Sequence, residues 1–541
     1  MAFERSQLLE RLHSVTPLVE QICKTSGTPG ASIVVAQRGH QIFQHHYGYR
    51  DVERREAPDS DTVYYVGSLS KGIAAAAVGI LVDEKRFDWN TTLRQLIPTF
   101  QQRDKSLEDM INVADILSHR TGLSGPNALW SQGGNKVYLE RESIIPTFAN
   151  LQTVKNFRAS WLYCNPGYWL ADEIISRTTG QTYGSFLIDR IFSPLGMTRT
   201  FIKKPDSTPP NSAKAYMPME DGTFAEIPPP AVFDGSAIAT AGGVKSSATD
   251  MLKYYSALLR SRELEFFGNE DKEATTIKQA SYLTSARTLL SPRLMLEQSY
   301  GLGLARVQLP GSFGAIGLNP GLLEEMPTIG KGAASKLVIY HQGSFPGFLS
   351  AVFMVPDEDV VLLVLTNSLA FNDAADWLGQ MVLEYIIDSP QKTDFVKLAE
   401  ETRNTTLRMY RTFEDHLKHD GTPDPKTKPL GAYAGSYYNS PNTFAIKVVE
   451  KNEQLHMYFQ NETWDVYTLK PCGNDCFSWG ITYKEQVERA RWPIANVDYY
   501  KFQFEADEHG VVSRLEWHHD PNTGPETFVK ERDEHASTAH S

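Results

Sequence analysis

The chain has 541 residues, 41% hydrophobic and 22% charged, with a net charge of −12 and a pI of about 5.7. That is the make-up of a soluble globular protein with a substantial core and two or three domains. The acidic balance, with no basic cluster interleaved with aromatics, argues against a nucleic-acid partner. No run approaches a transmembrane span, and Met1 to Ser6 lead into no apolar stretch of signal-peptide length, so no membrane partner and a cytoplasmic location are expected.

Residues 5–25 carry apolar positions at helical spacing and predict a first helix. Ala31–Ala36 and Gln41–Tyr47 predict a β-hairpin about Arg38-Gly39-His40. The segment Val66-Gly67-Ser68-Leu69-Ser70-Lys71-Gly72 follows a polar turn and opens an alanine-rich run, Ile73–Val82, that reads as a buried helix. A short helix is expected over 107–118. Residues 125–160, including Trp130, read as a loop or lid, and a second helix is expected from Tyr168. The proline-rich 203–235 reads as a surface excursion, and a helix is expected over Ser247–Leu259. Strands are expected at Lys336–Tyr340, Ser350–Val355 and Val360–Leu365, followed by a helix over Ala374–Ile387.

Residues 390–428 are polar with one helical segment, and 420–429 have the composition of a linker. Beyond them, short strands at Phe444–Glu450, Gln454–Gln460, Trp464–Leu469, Asp498–Phe504 and Val511–His518 predict a small all-β barrel or sandwich. The expected organisation is an α+β catalytic domain over 1–390, a linker over 391–429, a separately folding β domain over 430–533 and a disordered tail over 534–541.

Four cysteines do not make a disulfide framework at this length. Cys472 and Cys476 suggest a bridge or half a zinc site, but without a second Cys/His pair of good spacing a reduced pair is expected. His518-His519-Asp520 reads as a polar turn. There is no His-Glu-x-x-His motif, no phosphate-binding Gly-x-x-x-x-Gly-Lys loop and no Gly-x-Ser-x-Gly elbow, so neither a metal nor a nucleotide cofactor is implied.

The chemistry centres on Ser68-x-x-Lys71. Three residues apart at a helix start, a lysine lies one turn from a serine hydroxyl. Serine is a weak nucleophile that needs a base or a nearby positive charge, and a helix N-terminus offers N–H groups to a forming oxyanion. Taken alone, such a serine is more often an N-cap, and Ser70 is an equal candidate for that role. Two further sites follow in order: Tyr163-x-Asn165, then His341-x-Gly343 with Ser344 at the end of a strand. Taken singly, each has a structural reading as a packed aromatic, a turn residue or a strand-end polar group.

In this order and spacing the three sites resemble the serine β-lactamase and penicillin-binding protein superfamily, closest to its class C and family VIII esterase branch. Asp61-Thr62-Val63-Tyr64, Leu117–Leu123, Pro194–Thr198 and Gly242-Gly243-Val244-Lys245-Ser246 are similar to phrases of that family. The resemblance covers residues 10–388, and the C-terminal part resembles the lipocalin-like domain appended to some members. It implies an antiparallel sheet flanked by helices, an all-helical region and a small C-terminal barrel. It also implies a two-step acyl transfer through Ser68, with Lys71 and Tyr163 sharing the proton relay. The N–H groups of Ser68 and Ser344 would form the oxyanion hole. Asn165 would position Lys71 and the substrate carbonyl, and His341 would orient Tyr163 or bind substrate.

His341 stands where β-lactamases have lysine, which points away from antibiotic hydrolysis. The apolar loops at 125–160 and 203–235 imply a pocket for something larger or greasier than a small peptide. The expected function is hydrolysis of a small-molecule ester, amide or thioester. An acyltransferase or cyclase of natural-product biosynthesis, as in fungal relatives, is the alternative, and a non-catalytic scaffold is the third reading.

Overall fold

The computed structural model describes residues 5–204, 209–268, 275–291, 295–419 and 428–531. The chain divides into two compact units, one formed by residues 1–123 and 155–407, the other by 124–154 and 408–541.

The first unit is built on an antiparallel sheet of eight strands: β1 (Gly30–Gln37), β2 (His40–Gly48), β3 (Thr288–Leu289), β4 (Gln298–Tyr300), β5 (Ala305–Gln308), β6 (Leu337–Phe345), β7 (Phe348–Val355) and β8 (Val360–Thr366). Their spatial order is β2-β1-β8-β7-β6-β5-β4-β3. The N-terminal hairpin therefore pairs with the last strand of the sheet, Ile33 opposite Val364. β7 and β8 are buried at every residue. Such continuous apolar runs form where a sheet is covered on both faces. Helix Ala374–Ile386 packs on β7 and β8, and helix Ala248–Phe266 packs on β1 and β8.

A helical part adjoins the sheet. Helix Ser70–Asp83 packs against helix Asn165–Thr179 and the short helix Ala239–Gly242. It is buried on all sides from Ser70 to Leu81, which is why its sequence shows no polar stripe.

Local boundaries differ from the sequence reading for identifiable reasons. The first helix is two, Arg5–Ser14 and Thr16–Ser26, the second carrying Pro17 in its opening turn, where a missing N–H costs nothing. Of residues 107–118, only Val113–Leu117 is α-helical, set by a reciprocal cap between Asn112 and Asp115. The helix expected at Tyr168 begins at Asn165, with Pro166 in its first turn. The proline-rich excursion contains a hairpin, Ala215–Pro218 with Phe224–Ile227. β6 does not stop at Tyr340. It runs to Phe345 because His341 to Phe345 stay paired with β7.

The second unit contains a closed eight-stranded barrel, Gly435–Asn439, Ala445–Lys451, Gln454–Phe459, Tyr467–Gly473, Cys476–Ser478, Lys501–Ala506, Val512–Trp517 and Glu526–Lys530. It closes where Tyr438 pairs with Val529. Its interior is filled with rings. Trp517 stacks on Phe459 with centroids 5.3 Å apart, and Trp479 and Phe502 pack beside them. Cys472 and Cys476 face each other across a hairpin turn, their sulfurs 2.8 Å apart.

Residues 391–429, read as a linker, contain the helix Phe395–His419. Its second half belongs to the barrel unit: Tyr410 packs on Tyr483, Phe413 packs on Tyr500, and Glu414 accepts from the Tyr483 N–H. Of residues 125–160, read as a loop or lid, those up to 154 also belong to this unit, which takes in 124–154, with Leu129, Tyr138, Leu139, Ile144 and Phe148 buried. The expected tail, 534–541, and residues 420–427 of the expected linker lie outside the described residues. Among the described residues, no helix is long and apolar enough to cross a membrane.

Candidate active site

Ser68 sits in a single 3-10 turn, Gly67–Leu69, that runs directly into helix Ser70–Asp83. Neither nearby serine caps that helix. Leu69 holds the cap position with no side-chain bond, and Ser70 Oγ accepts from the Val244 N–H at 3.1 Å. The Ser68 hydroxyl instead meets Lys71, with Nζ 2.9 Å from Oγ.

Lys71 is fully buried. Nζ also donates to the Ala241 carbonyl at 2.9 Å and lies 5.0 Å and 5.5 Å from the ring centroids of Tyr163 and Tyr168. Among the described residues, no carboxylate forms a salt bridge with it. Removing an ammonium from water without a counter-charge drives its pKa well below the ordinary lysine value, opposed only by Cys164.

Tyr163 lies in the extended run before helix Asn165–Thr179, and Asn165 opens that helix half-buried. Burial pushes the Tyr163 phenol up, and Ser68 is the neighbour that opposes the shift, although the two hydroxyls do not form a well-shaped hydrogen bond. The Tyr163 ring lies on His119, centroids 4.3 Å apart. His119 in turn organises this loop: its carbonyl accepts from Leu162 N at 2.9 Å and its Nδ1 accepts from Cys164 N at 3.0 Å. That places the imidazole proton on Nε2, and burial holds the ring neutral.

β6 closes the site from the other side. A methyl group on Gly343 would lie 2.3 Å from the Val66 carbonyl oxygen and 2.9 Å from Ser68 N, and one on Gly67 would lie 2.6 Å from Ser344 N. Gly67 also holds φ +52°, the left-handed region that favours glycine. Backbone therefore meets backbone here, and the amides of Ser68 and Ser344 are brought to one place. Ser350 on β7 fastens the contact by donating to the Val66 carbonyl at 2.8 Å.

His341 is buried in β6. Its Nδ1 donates to the Gln342 carbonyl, which leaves Nε2 to accept from the Tyr300 hydroxyl at 3.0 Å. Burial lowers its pKa to about 3, with Lys71 adding to the shift. Both ring nitrogens are thus held by Tyr300 and Gln342, neither by Tyr163, whose ring centroid is 6.4 Å away. Behind it, Gln342 donates to Asp376 at 2.8 Å and ties β6 to helix Ala374–Ile386.

The structure brings Ser68, Lys71, Tyr163, His341, Gly343 and Ser344 to one place. It adds His119, Tyr168, Ala241 and Tyr300, which the sequence did not single out. His119 and Ala241 carried a signal, inside or beside the family-like phrases at 117–123 and 242–246. Tyr168 and Tyr300 carried none, because each is one tyrosine among 24. Among the described residues, no group of three or more His, Cys, Asp or Glu converges to hold a metal ion.

An antiparallel sheet with a serine–lysine pair at a helix start beneath one of its strands defines the class: a serine-hydrolase-type α+β fold with an appended barrel. The chain belongs to the Beta-lactamase family, whose profile matches residues 15–383. A domain of unknown function, DUF3471, matches residues 419–532. Among curated relatives, an unguisins hydrolase of Aspergillus campestris is 22% identical over 78% of this chain and 75% of its own length. One of Aspergillus violaceofuscus is 25% identical over 76% and 72%. The octameric penicillin-binding protein homologue from Pyrococcus abyssi shares the fold, with a TM-score of 0.54 and 17% identity over 96% of this chain and 99% of that one.

Proposed function

We propose that the protein is a serine acyl-enzyme hydrolase acting on an ester or amide of a small molecule or natural product. The observation that carries this reading is the 2.9 Å contact between the Ser68 hydroxyl and a buried lysine that has no carboxylate salt bridge. A neutral amine in that position is a base. Lys71 Nζ takes the Ser68 proton as Oγ attacks the carbonyl carbon, and the N–H groups of Ser68 and Ser344 receive the oxyanion. Tyr163, kept as a phenol by burial, gives its proton to the leaving alcohol or amine. Water then attacks the acyl carbon and gives a proton to the Tyr163 oxygen, while Lys71 returns its proton to Ser68 Oγ as the ester bond breaks, which releases the acid and resets all three groups. Two relatives named as unguisins hydrolases support water as acceptor and a natural product as substrate.

The test is intact mass after mixing with p-nitrophenyl esters of graded chain length, a penicillin and an acyl thioester. An adduct on the native protein that disappears in Ser68→Ala is expected, with the fold unchanged. Normal turnover by Ser68→Ala would sink the reading.

A further inference from the structure

Residues 124–154 leave the first unit just after His119 and return just before Tyr163, yet they pack with the barrel. The chain enters them at Leu123–Ser124 and leaves at Val154–Lys155. Between these crossings and the site runs a braced stem. Lys155 N donates to Gly122 O at 3.0 Å, Arg158 N to Arg120 O at 2.8 Å and Leu162 N to His119 O at 2.9 Å. Arg120 and Arg158 share the buried carboxylate of Asp115. Both ends of the stem thus lead to a site group.

Within the second unit the excursion is held by a buried guanidinium. Arg491 is fully buried among the aromatic rings of the barrel unit, 5.3 Å from the Tyr467 centroid and 5.1 Å from Trp479. It donates to Tyr467 Oη at 2.7 Å and to Gln132 Oε1 at 2.5 Å. Tyr467 passes the interaction to Asp465 at 2.6 Å, which also pairs with Arg489. Backbone bonds follow the same line: Gly134 N donates to Arg489 O and Asn135 N to Ala490 O. Methyl groups on Gly133 and Gly134 would lie 2.2 Å from Asp465 and 2.5 Å from Trp464, so the excursion lies flush on this end of the barrel unit. A buried charge needs its acceptors, and part of Arg491's acceptor set is supplied by a segment remote in sequence.

We infer that the barrel domain is the mould for residues 124–154 and, through the stem, sets the placement of His119 and Tyr163, with Arg491 as the positioning residue. The consequence for turnover rests on the hydrolase reading above, but the placement itself does not. The barrel's task is then structural support of the site rather than ligand capture, in keeping with its ring-filled interior.

The experiment is hydrogen exchange on the full-length protein and on Arg491→Met, read on peptides covering 124–154, 155–164 and β6–β8, alongside p-nitrophenyl ester turnover. Expected are at least tenfold faster exchange in 124–154 and 155–164, unchanged protection of β6–β8, and kcat reduced about tenfold with KM little changed. Arg491→Lys, which keeps the charge but not the fork, should lie between. Gln132→Leu, which removes the Arg491 acceptor together with the Nε2 donation to the Ala128 carbonyl and Tyr499 Oη, should reproduce the effect. It carries the same reading if Arg491→Met melts the whole chain. Unchanged protection at 155–164, or wild-type kcat despite loosened 124–154, overturns the inference. If native protein turns over no ester and forms no Ser68 adduct, the hydrolase reading fails while the exchange data still decide the placement.

Discussion

In the proposed mechanism the chemistry depends on Lys71, because its proton decides whether it is a base or a spectator. The pocket refuses the charge: Nζ is given a serine oxygen and a carbonyl oxygen, and no carboxylate salt bridge among the described residues. Protonation occupies the lone pair, so kcat/KM should fall as pH drops through the depressed Lys71 pKa and level off above it. Burial lowers the His341 imidazole to about 3 and also lowers that of His119, so both rings are neutral at neutral pH. A pH–rate profile on a p-nitrophenyl ester should therefore show a single acid limb that His341→Gln leaves in place. A limb that moved or vanished with that substitution would give the base role to His341.

At the scale of elements, the site is an encounter between one turn and one strand. Gly67 and Gly343 allow it, since each faces backbone at a distance no side chain tolerates. Gly343→Ala should push β6 off the turn and separate the Ser68 and Ser344 amides. Loss of one oxyanion donor is worth roughly 100-fold or more in kcat, so a loss of that order is expected by steady-state assay, with circular dichroism unchanged. Wild-type turnover by the alanine variant would remove the backbone contact from the mechanism.

The three motifs were legible in the sequence because each chemical group is tied to a fixed local spacing: serine to lysine within one helical turn, tyrosine just before a helix, glycine in a strand. His341 was legible as a position but not as an environment. Its hydrogen bond to Tyr300 comes from a strand 41 residues earlier, and nothing local announces such a partner. β6 looked shorter than it is because His-Gln-Gly-Ser is polar, whereas pairing with β7 decides the strand. The barrel strands Gly435–Asn439, Cys476–Ser478 and Glu526–Lys530 were missed for a related reason: they are short, and their pairing is nonlocal.

For the whole molecule, the apolar residues of the expected loop or lid at 125–160 suggested a pocket for a large or greasy substrate, whereas Leu129, Tyr138, Leu139, Ile144 and Phe148 are buried in the barrel unit. Residues 124–154 lie in one compact unit with residues 408–541. A fragment spanning 428–531 lacks Gln132 and leaves part of the Arg491 hydrogen bonding unmet. A hydrogen bond to a charged group is worth about 1.5–3 kcal/mol, a sizeable share of the 5–15 kcal/mol typical of a domain. The fragment should melt well below the barrel of the intact chain, and a synthetic peptide of residues 124–154 should raise its Tm. Calorimetry that finds the bare fragment as stable as the intact barrel would count against this.

Gln132 and Arg491 are 359 residues apart in the chain. At synthesis rates of about 5–20 residues per second, roughly 20–70 s separate their emergence from the ribosome. Through that interval Leu129, Tyr138, Ile144 and Phe148 have no barrel to enter, which makes the excursion a natural client for a chaperone. On the inference drawn above, the Tyr163 loop, already translated, waits on strands not yet made. Formation of the barrel then acts as a timer, and a nascent chain gains the proposed site only once the strand Glu526–Lys530 has been made.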